Sequence, residues 1–276
     1  MCHVCYSSST NSRVTTTFGT LIKVVSECNF CGHIYNWTSQ PFIGTIPAAN
    51  LMMSCAILFS GSLPTQSLRL FDFMNINHIS SSTYMEHQKF YLYPAVTENW
   101  QDFQDTYIQR KRGSTIVVGG DGRADTPGHC AKYGSYCMMD LDENKIITVE
   151  LIQSNEVKSS VHMEKEGLIR CVDWLKTYNI DIGTFVSDRH LQIQKWVREN
   201  LDGTNHFYDV WHVSKGLKKK MASLSKEKEC EDVGLWTKSI INHLYWSAGS
   251  TEDGDGNVMW AKWESICNHV QNVRGA

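Results

Sequence analysis

Three neighbouring apolar residues, Ile116-Val117-Val118, run into Gly119-Gly120 and then Asp121. A short apolar run closed by glycines predicts a buried strand that stops and presents a carboxylate at its C-terminal end. Glycines there permit a sharp turn or the close approach of another group. The pattern returns twice: Ile182–Ser187 is followed by Asp188-Arg189-His190, and His206-Phe207-Tyr208 by Asp209-Val210-Trp211-His212. Three strand ends that each deliver an acid constrain the fold, because they place the acids in one polar site at one edge of a sheet.

The segments around these runs predict the rest of a domain over 114–224. Strand Thr115–Val118 comes first. Tyr136–Leu141 and Ile146–Ile152 flank Asp142-Glu143-Asn144-Lys145, which is hairpin-turn chemistry. Helical spacing follows over Glu164–Tyr178, with Leu168, Cys171, Val172 and Leu175 inward, and over Leu191–Leu201, with Ile193, Val197 and Leu201 inward. Strands Ile182–Ser187 and Phe207–Val210 and the basic helix Val213–Leu224 complete it. The order β, β-hairpin, α, β, α, β, α predicts a mixed α/β sheet with helices on its faces. Cys130, Cys137 and Cys171 read as core positions.

The N-terminal 45 residues carry a different signature. Cys2-x-x-Cys5 and Cys28-x-x-Cys31 are two knuckles separated by roughly 20 residues, the spacing of a zinc ribbon whose four thiolates close a structural tetrahedral site. Gly19, between the β-branched runs Arg13–Thr20 and Leu21–Val25, predicts a hairpin; His33 is a weaker alternative ligand. Residues 46–113 read as helical. Ala48–Ser60 and Thr65–Asn75 come first, the latter with Leu68, Leu70, Phe71 and Met74 inward. Tyr84–Tyr91 follows, N-capped from Ser81-Ser82-Thr83 with Glu86 as a capping-box acid, and Trp100–Tyr107 forms a connector. Three short helices with tight turns have the form of a helix-turn-helix, whose last helix can enter a major groove. A plain three-helix packing unit fits the same pattern. Residues 225–276 read as helical and Trp-rich. Their loop Ser250–Asn257 lacks the twelfth-position Glu of a calcium loop.

The longest apolar run, Leu51–Phe59, is too short to span a bilayer, so no membrane partner is expected. The polar start predicts no secretory signal. Ten cysteines without such a signal, four of them in paired knuckles, favour metal over disulfides. A net charge of −3 argues against a wholly basic nucleic-acid-binding surface. Arg110-Lys111-Arg112, and Lys215 with Lys218-Lys219-Lys220, supply local basic stretches. Met1 directly before Cys2, and the end at Gly275-Ala276, both read as cuts through a longer protein.

The motifs GGDGRADTPGHCAKYGSY, SNEV with MEKEG (Met163–Gly167), VSDRHLQIQKW and YDVWHVSKGLKKK resemble a transposase-derived family close to the Kolobok and hAT-like cut-and-paste transposases. The resemblance covers nearly the whole chain. It implies a ribonuclease H-like mixed sheet with flanking helices, preceded by the zinc-ribbon-like module and the helix-turn-helix-like segment, with 225–276 as the start of a helical insertion. It also implies DNA strand cleavage and transfer with Mg²⁺ or Mn²⁺ at Asp121 and Asp188. Asp209 and His212, an Asp-x-x-His motif, would support the site. The expected partner is DNA at transposon ends, with homo-oligomers possible, in the nucleus. In such proteins the third acid sits on a late helix. Glu229, Glu231 and Glu264 are available, none is marked out by its surroundings, and the third acid is expected beyond Ala276. Asp125, His129 and His190 are neighbours without an assigned role. Two alternatives stand beside an active or incomplete transposase: a domesticated, non-catalytic zinc-dependent module that binds DNA or protein, and a nuclease of the same fold that cuts without joining.

Overall fold

The computed structural model describes residues 1–126, 130–251 and 254–271. The chain divides into two compact units, Met1–Phe103 and Gln104–Ala276.

In the first unit β1 (Thr10–Phe18), β2 (Leu21–Cys28) and β3 (Ile34–Thr38) form an antiparallel sheet in that order, and β4 (Phe42–Ile43) pairs with β5 (Ile46–Pro47). The expected hairpin turns at Gly19, whose φ of +58° suits a residue without a side chain. A Cβ there would also lie 2.6 Å from Asn50 Oδ1. Asn50, fully buried on α1 (Ala48–Phe59), accepts from the Thr20 amide and hydroxyl at 2.8 and 2.7 Å and donates to the Phe18 carbonyl at 3.0 Å. One satisfied amide thus pins the helix to the hairpin.

α2 (Pro64–Phe73) and α3 (Ser81–His87) follow. A π-helical turn, Gln88–Leu92, leads directly into α4 (Tyr93–Lys111). The cap of α3 differs from expectation: Ser80, not a residue of 81–83, accepts from the Thr83 amide at 3.1 Å. The inward face of α2 is also narrower. Leu68 is buried, whereas Leu70 and Met74 are exposed, because Ile57, Ile79 and Tyr84 form a small cluster that takes only one α2 side chain.

The second unit is built on β6 (Thr115–Ala124), β7 (Tyr133–Asp140), β8 (Lys145–Gln153), β9 (Asp181–Ser187) and β10 (Asn205–Tyr208), in the order β10-β9-β6-β7-β8. The β6-β7-β8 meander is antiparallel; β9 and β10 add to β6 in parallel. α5 (Met163–Thr177) crosses from β8 to β9 and α6 (Leu191–Asn200) from β9 to β10. α7 (Val210–Leu224), α8 (Asp232–Gly249) and α9 (Gly256–Val270) follow. A mixed five-stranded sheet with flanking helices is as expected. Ile116, Val118, Tyr136, Met138 and Phe185 pack against Leu168, Cys171, Val172 and Leu175 of α5 and Ile193 and Val197 of α6. Leu201 is only half-buried at the core's margin, and Cys130 is exposed in the turn before β7 rather than in the core.

One expectation is corrected. The strand beginning at Thr115 does not stop at Gly119-Gly120; it continues through Asp121 to Ala124, in register with β7 (Gly120 opposite Met138, Asp121 opposite Cys137). None of Gly119, Gly120 and Gly122 has a positive φ, so their role is clearance rather than turning. Elsewhere in this unit, buried Asp140 is fully engaged. It accepts from Tyr107 Oη (2.8 Å) and from the Asp142 and Glu143 amides, and pairs with Lys111 Nζ at 3.2 Å.

Candidate metal centres

The first centre lies at the end of the three-stranded sheet. Cys2 and Cys5 flank the turn before β1, and Cys28 and Cys31 the turn from β2 towards β3. Hairpin pairing joins the two turns: Thr10 is opposite Cys28, and the Asn29 amide donates to the Ser9 carbonyl. All four sulfurs lie within 4.8 Å of one another, with Cys2 3.7 Å from Cys31 and Cys5 3.5 Å from Cys28. Backbone amides point at the sulfurs. The Cys5 and Val4 amides hold the Cys2 thiol below its usual range, and those of Cys31 and Phe30 hold Cys28 down to about 6. The Ser7 amide also pulls on Cys5, but burial and the three neighbouring thiols push it up to about 12. Four clustered thiols, of which Cys2, Cys5 and Cys28 are met by amides that favour thiolate, fit a cation at their centre. His33 is not among the four; its Nε2 is 3.1 Å from His3 Nε2.

The second centre is acidic. Asp121 lies within β6 and Asp188 one residue beyond β9, the adjacent parallel strand. The structure adds Glu164, in the first turn of α5. Gly122 makes room for it, since a Cβ there would come within 2.5 Å of Glu164 Cγ. Burial first, then the charges of Asp188 and Asp121, raise Glu164 to about 7. Burial and Asp121 likewise raise the Cys137 thiol. Glu164 senses both aspartates, but the three carboxylates lack the tight packing of the thiols, which are the only group of three or more potential ligands within 4.8 Å among the described residues.

Three buried side-chain polar atoms among the described residues lack a hydrogen-bond partner: Tyr136 Oη, His190 Nδ1 and Gln192 Oε1. Orphans of this kind are rare and call for an explanation. His190 and Gln192 lie two and four residues after Asp188, and Tyr136 is acted on, after burial itself, by Glu164, Cys171, Asp121 and Asp188. Unmet polar valence beside a carboxyl raised by burial and two neighbouring acids is a condition that a hydrated divalent cation relieves.

Asp209 and His212 stand one strand further along. The Asp209 amide donates to the Ser187 carbonyl at 2.9 Å, which places this corner beside the end of β9. Its carboxylate, however, caps α7 through the Trp211 amide (2.9 Å) and contacts His212 Nδ1 at 3.0 Å. These two residues therefore form a pair of their own, engaged in the cap. Asp125 is exposed, its amide bonded to the Tyr133 carbonyl. His129 and part of the 250–257 loop lie outside the described residues.

No family model matches the chain, and no curated protein shows significant similarity to it. No helix among the described residues is long and apolar enough to cross a membrane.

Proposed function

We propose that Gln104–Ala276 is a ribonuclease H-like domain for divalent-metal-dependent phosphoryl transfer on DNA, with Asp121, Glu164 and Asp188 as its acids. The observation that carries this reading is that Asp188 and Asp121, from two adjacent parallel strands, both act on partly buried Glu164 of the first crossover helix, beside buried polar atoms left unpaired. The sheet order β10-β9-β6-β7-β8 and the motif resemblance to cut-and-paste transposases support it. Two cations bound there would activate an attacking oxygen and stabilise a leaving one in an in-line displacement at phosphorus. Asp121 and Asp188, on the rigid sheet, would set the cation positions. Glu164 would give up its proton as the positive charge arrives, since a cation would offset both the burial and the neighbouring Asp188 and Asp121 that raise its pKa. Asp209 and His212 would shape the adjoining corner. On α7, Lys215, Lys218, Lys219 and Lys220 are exposed and without an ion-pair partner among the described residues, and Lys215 Nζ stands 3.8 Å above the Trp211 ring. Such a face suits a phosphate backbone.

The four-thiol cluster supports a second element of the reading: structural Zn²⁺ in Met1–Phe103, making that unit a DNA- or protein-binding module whether or not the acids act. Nuclear location and action at transposon ends follow only from the resemblance. The test is an Mn²⁺ titration followed by electron spin resonance, on the full chain and on Asp188→Asn, then cleavage of labelled duplex DNA. Binding that the variant lacks, with Mn²⁺-dependent cleavage, is expected. Absence of binding from both would leave the zinc-dependent binding module as the surviving function.

A further inference from the structure

Tyr136 is fully buried on β7, yet its hydroxyl has no partner. A buried hydroxyl left unpaired is destabilising, and phenylalanine would fill the same volume without that cost. The surroundings are nevertheless cut to fit the phenol. A Cβ on Gly120 would lie 2.3 Å from the hydroxyl oxygen, and one on Gly167 would lie 2.3 Å from the Tyr136 Cβ. Two glycines, one on β6 and one on α5, thus give up side chains to seat this ring, and the first of them adjoins Asp121 in sequence. Tyr136 is opposite Gly122 in the β6–β7 register, the same glycine over which Glu164 lies. Tyr136 and Glu164 therefore share the α5-facing side of the sheet, where the hydroxyl, seated at Gly120, can donate to an oxygen.

We infer that Tyr136 is a positioning residue of the acidic centre, whose hydroxyl donates a hydrogen bond to the oxygen shell of a divalent cation held by Asp121, Glu164 and Asp188. The inference rests on the reading of those acids as cation ligands. A fixed donor under the site would orient one ligand oxygen, and loss of an outer partner of this kind typically lowers metal affinity 10–100-fold.

The experiment compares Mn²⁺ affinity and metal-free melting temperature in the full chain, Tyr136→Phe and Asp188→Asn. Tyr136→Phe is expected to bind Mn²⁺ roughly ten-fold more weakly, with an unchanged or higher melting temperature in EDTA. Affinity is the readout that a merely structural hydroxyl would leave unmoved. If the unaltered chain binds Mn²⁺, Asp188→Asn does not, and Tyr136→Phe binds as tightly as the parent, the inference is overturned while the acidic site stands. A lower metal-free melting temperature in Tyr136→Phe would assign the hydroxyl a structural task and overturn it too. No Mn²⁺ binding by the parent would overturn both readings.

Discussion

The two candidate metal centres are built in opposite ways. The four thiols come from two tight turns joined by a single hairpin, and they crowd so closely that the other three thiols, with burial, push Cys5 up to about 12. Little else holds that end together: β1 and β3 expose nearly all their side chains, so the cluster is the core of its own module. The acidic centre instead rests on a sheet whose core is complete without it. Asp121, Glu164 and Asp188 come from β6, α5 and the end of β9, each anchored by buried residues such as Val118, Leu168 and Phe185. In the first case a cation would make the fold; in the second the fold would make a place for a cation. Removing ligands from each centre should therefore have different consequences.

The largest effect is expected at the thiols. Cys28→Ser should abolish zinc binding and unfold β1–β3, because structural zinc contributes on the order of 10 kcal/mol to folding in small modules. Zinc content by atomic absorption and amide exchange over residues 1–40 would report it. Retention of stoichiometric zinc with protected β1–β3 amides would erase the contrast. At the acids, Asp188→Asn should abolish Mn²⁺ binding yet leave the metal-free melting temperature within a few degrees of the parent. A collapse of the Gln104–Ala276 unit in that variant would show the carboxylate to be structural instead.

What was legible in the sequence follows the same division. The knuckles declare themselves because both ligands of each pair are local. The β, hairpin, α, β, α, β, α order was also readable, since apolar runs and helical spacing are local signals, and Asp188 falls just past its strand as expected. Glu164 was not readable. An acid in the first turn of a helix is ordinary complementation of the helix dipole, and what singles this one out is Gly122, forty-odd residues earlier, whose missing side chain makes room only in the folded register. The glycine run misled for the same reason. Whether Gly119-Gly120 ends a strand or clears space beside it depends on the β7 partner, and β7 supplies partners through Ala124.

A carboxylate elsewhere in the same sheet sharpens the comparison. Asp140 is as buried as any side chain in the unit, but its oxygens are met by two amides, Tyr107 and Lys111. Burial pulls its pKa up; the amide of Glu143, Tyr107 and Lys111 outweigh burial and hold it below 3.8. With a depressed folded pKa, its contribution is present above the unfolded value and is lost as pH falls below 3.8 through the folded one. Asp140→Asn should destabilise the unit by roughly 3 kcal/mol, since it leaves Lys111 and Tyr107 short of a charged acceptor. It should not alter Mn²⁺ affinity. Urea denaturation at pH 7 measures the first, and a titration the second; a fall in Mn²⁺ affinity would mean that satisfied and unsatisfied acids are not functionally distinct.

Glu164 gives the smallest and most discriminating effect, because its sign is reversed. Burial, Asp188 and Asp121 raise it from 4.5 to about 7. A carboxyl whose folded pKa is raised contributes stability that is fully present below the unfolded value and is lost as pH rises through the folded one. In EDTA the parent should therefore lose stability progressively between pH 4.5 and about 7. Glu164→Gln, which cannot ionise, should be spared that loss and be the more stable protein at pH 8, by about 1–2 kcal/mol once solvent screening of a partly buried group is allowed for. Saturating Mn²⁺ should reverse the order, since the cation repays the parent's repulsion and finds one ligand fewer in the variant. Melting curves at pH 5 and pH 8, with and without Mn²⁺, measure all four states. A variant less stable than the parent in EDTA at pH 8 would place Glu164 with Asp140 as a structural acid.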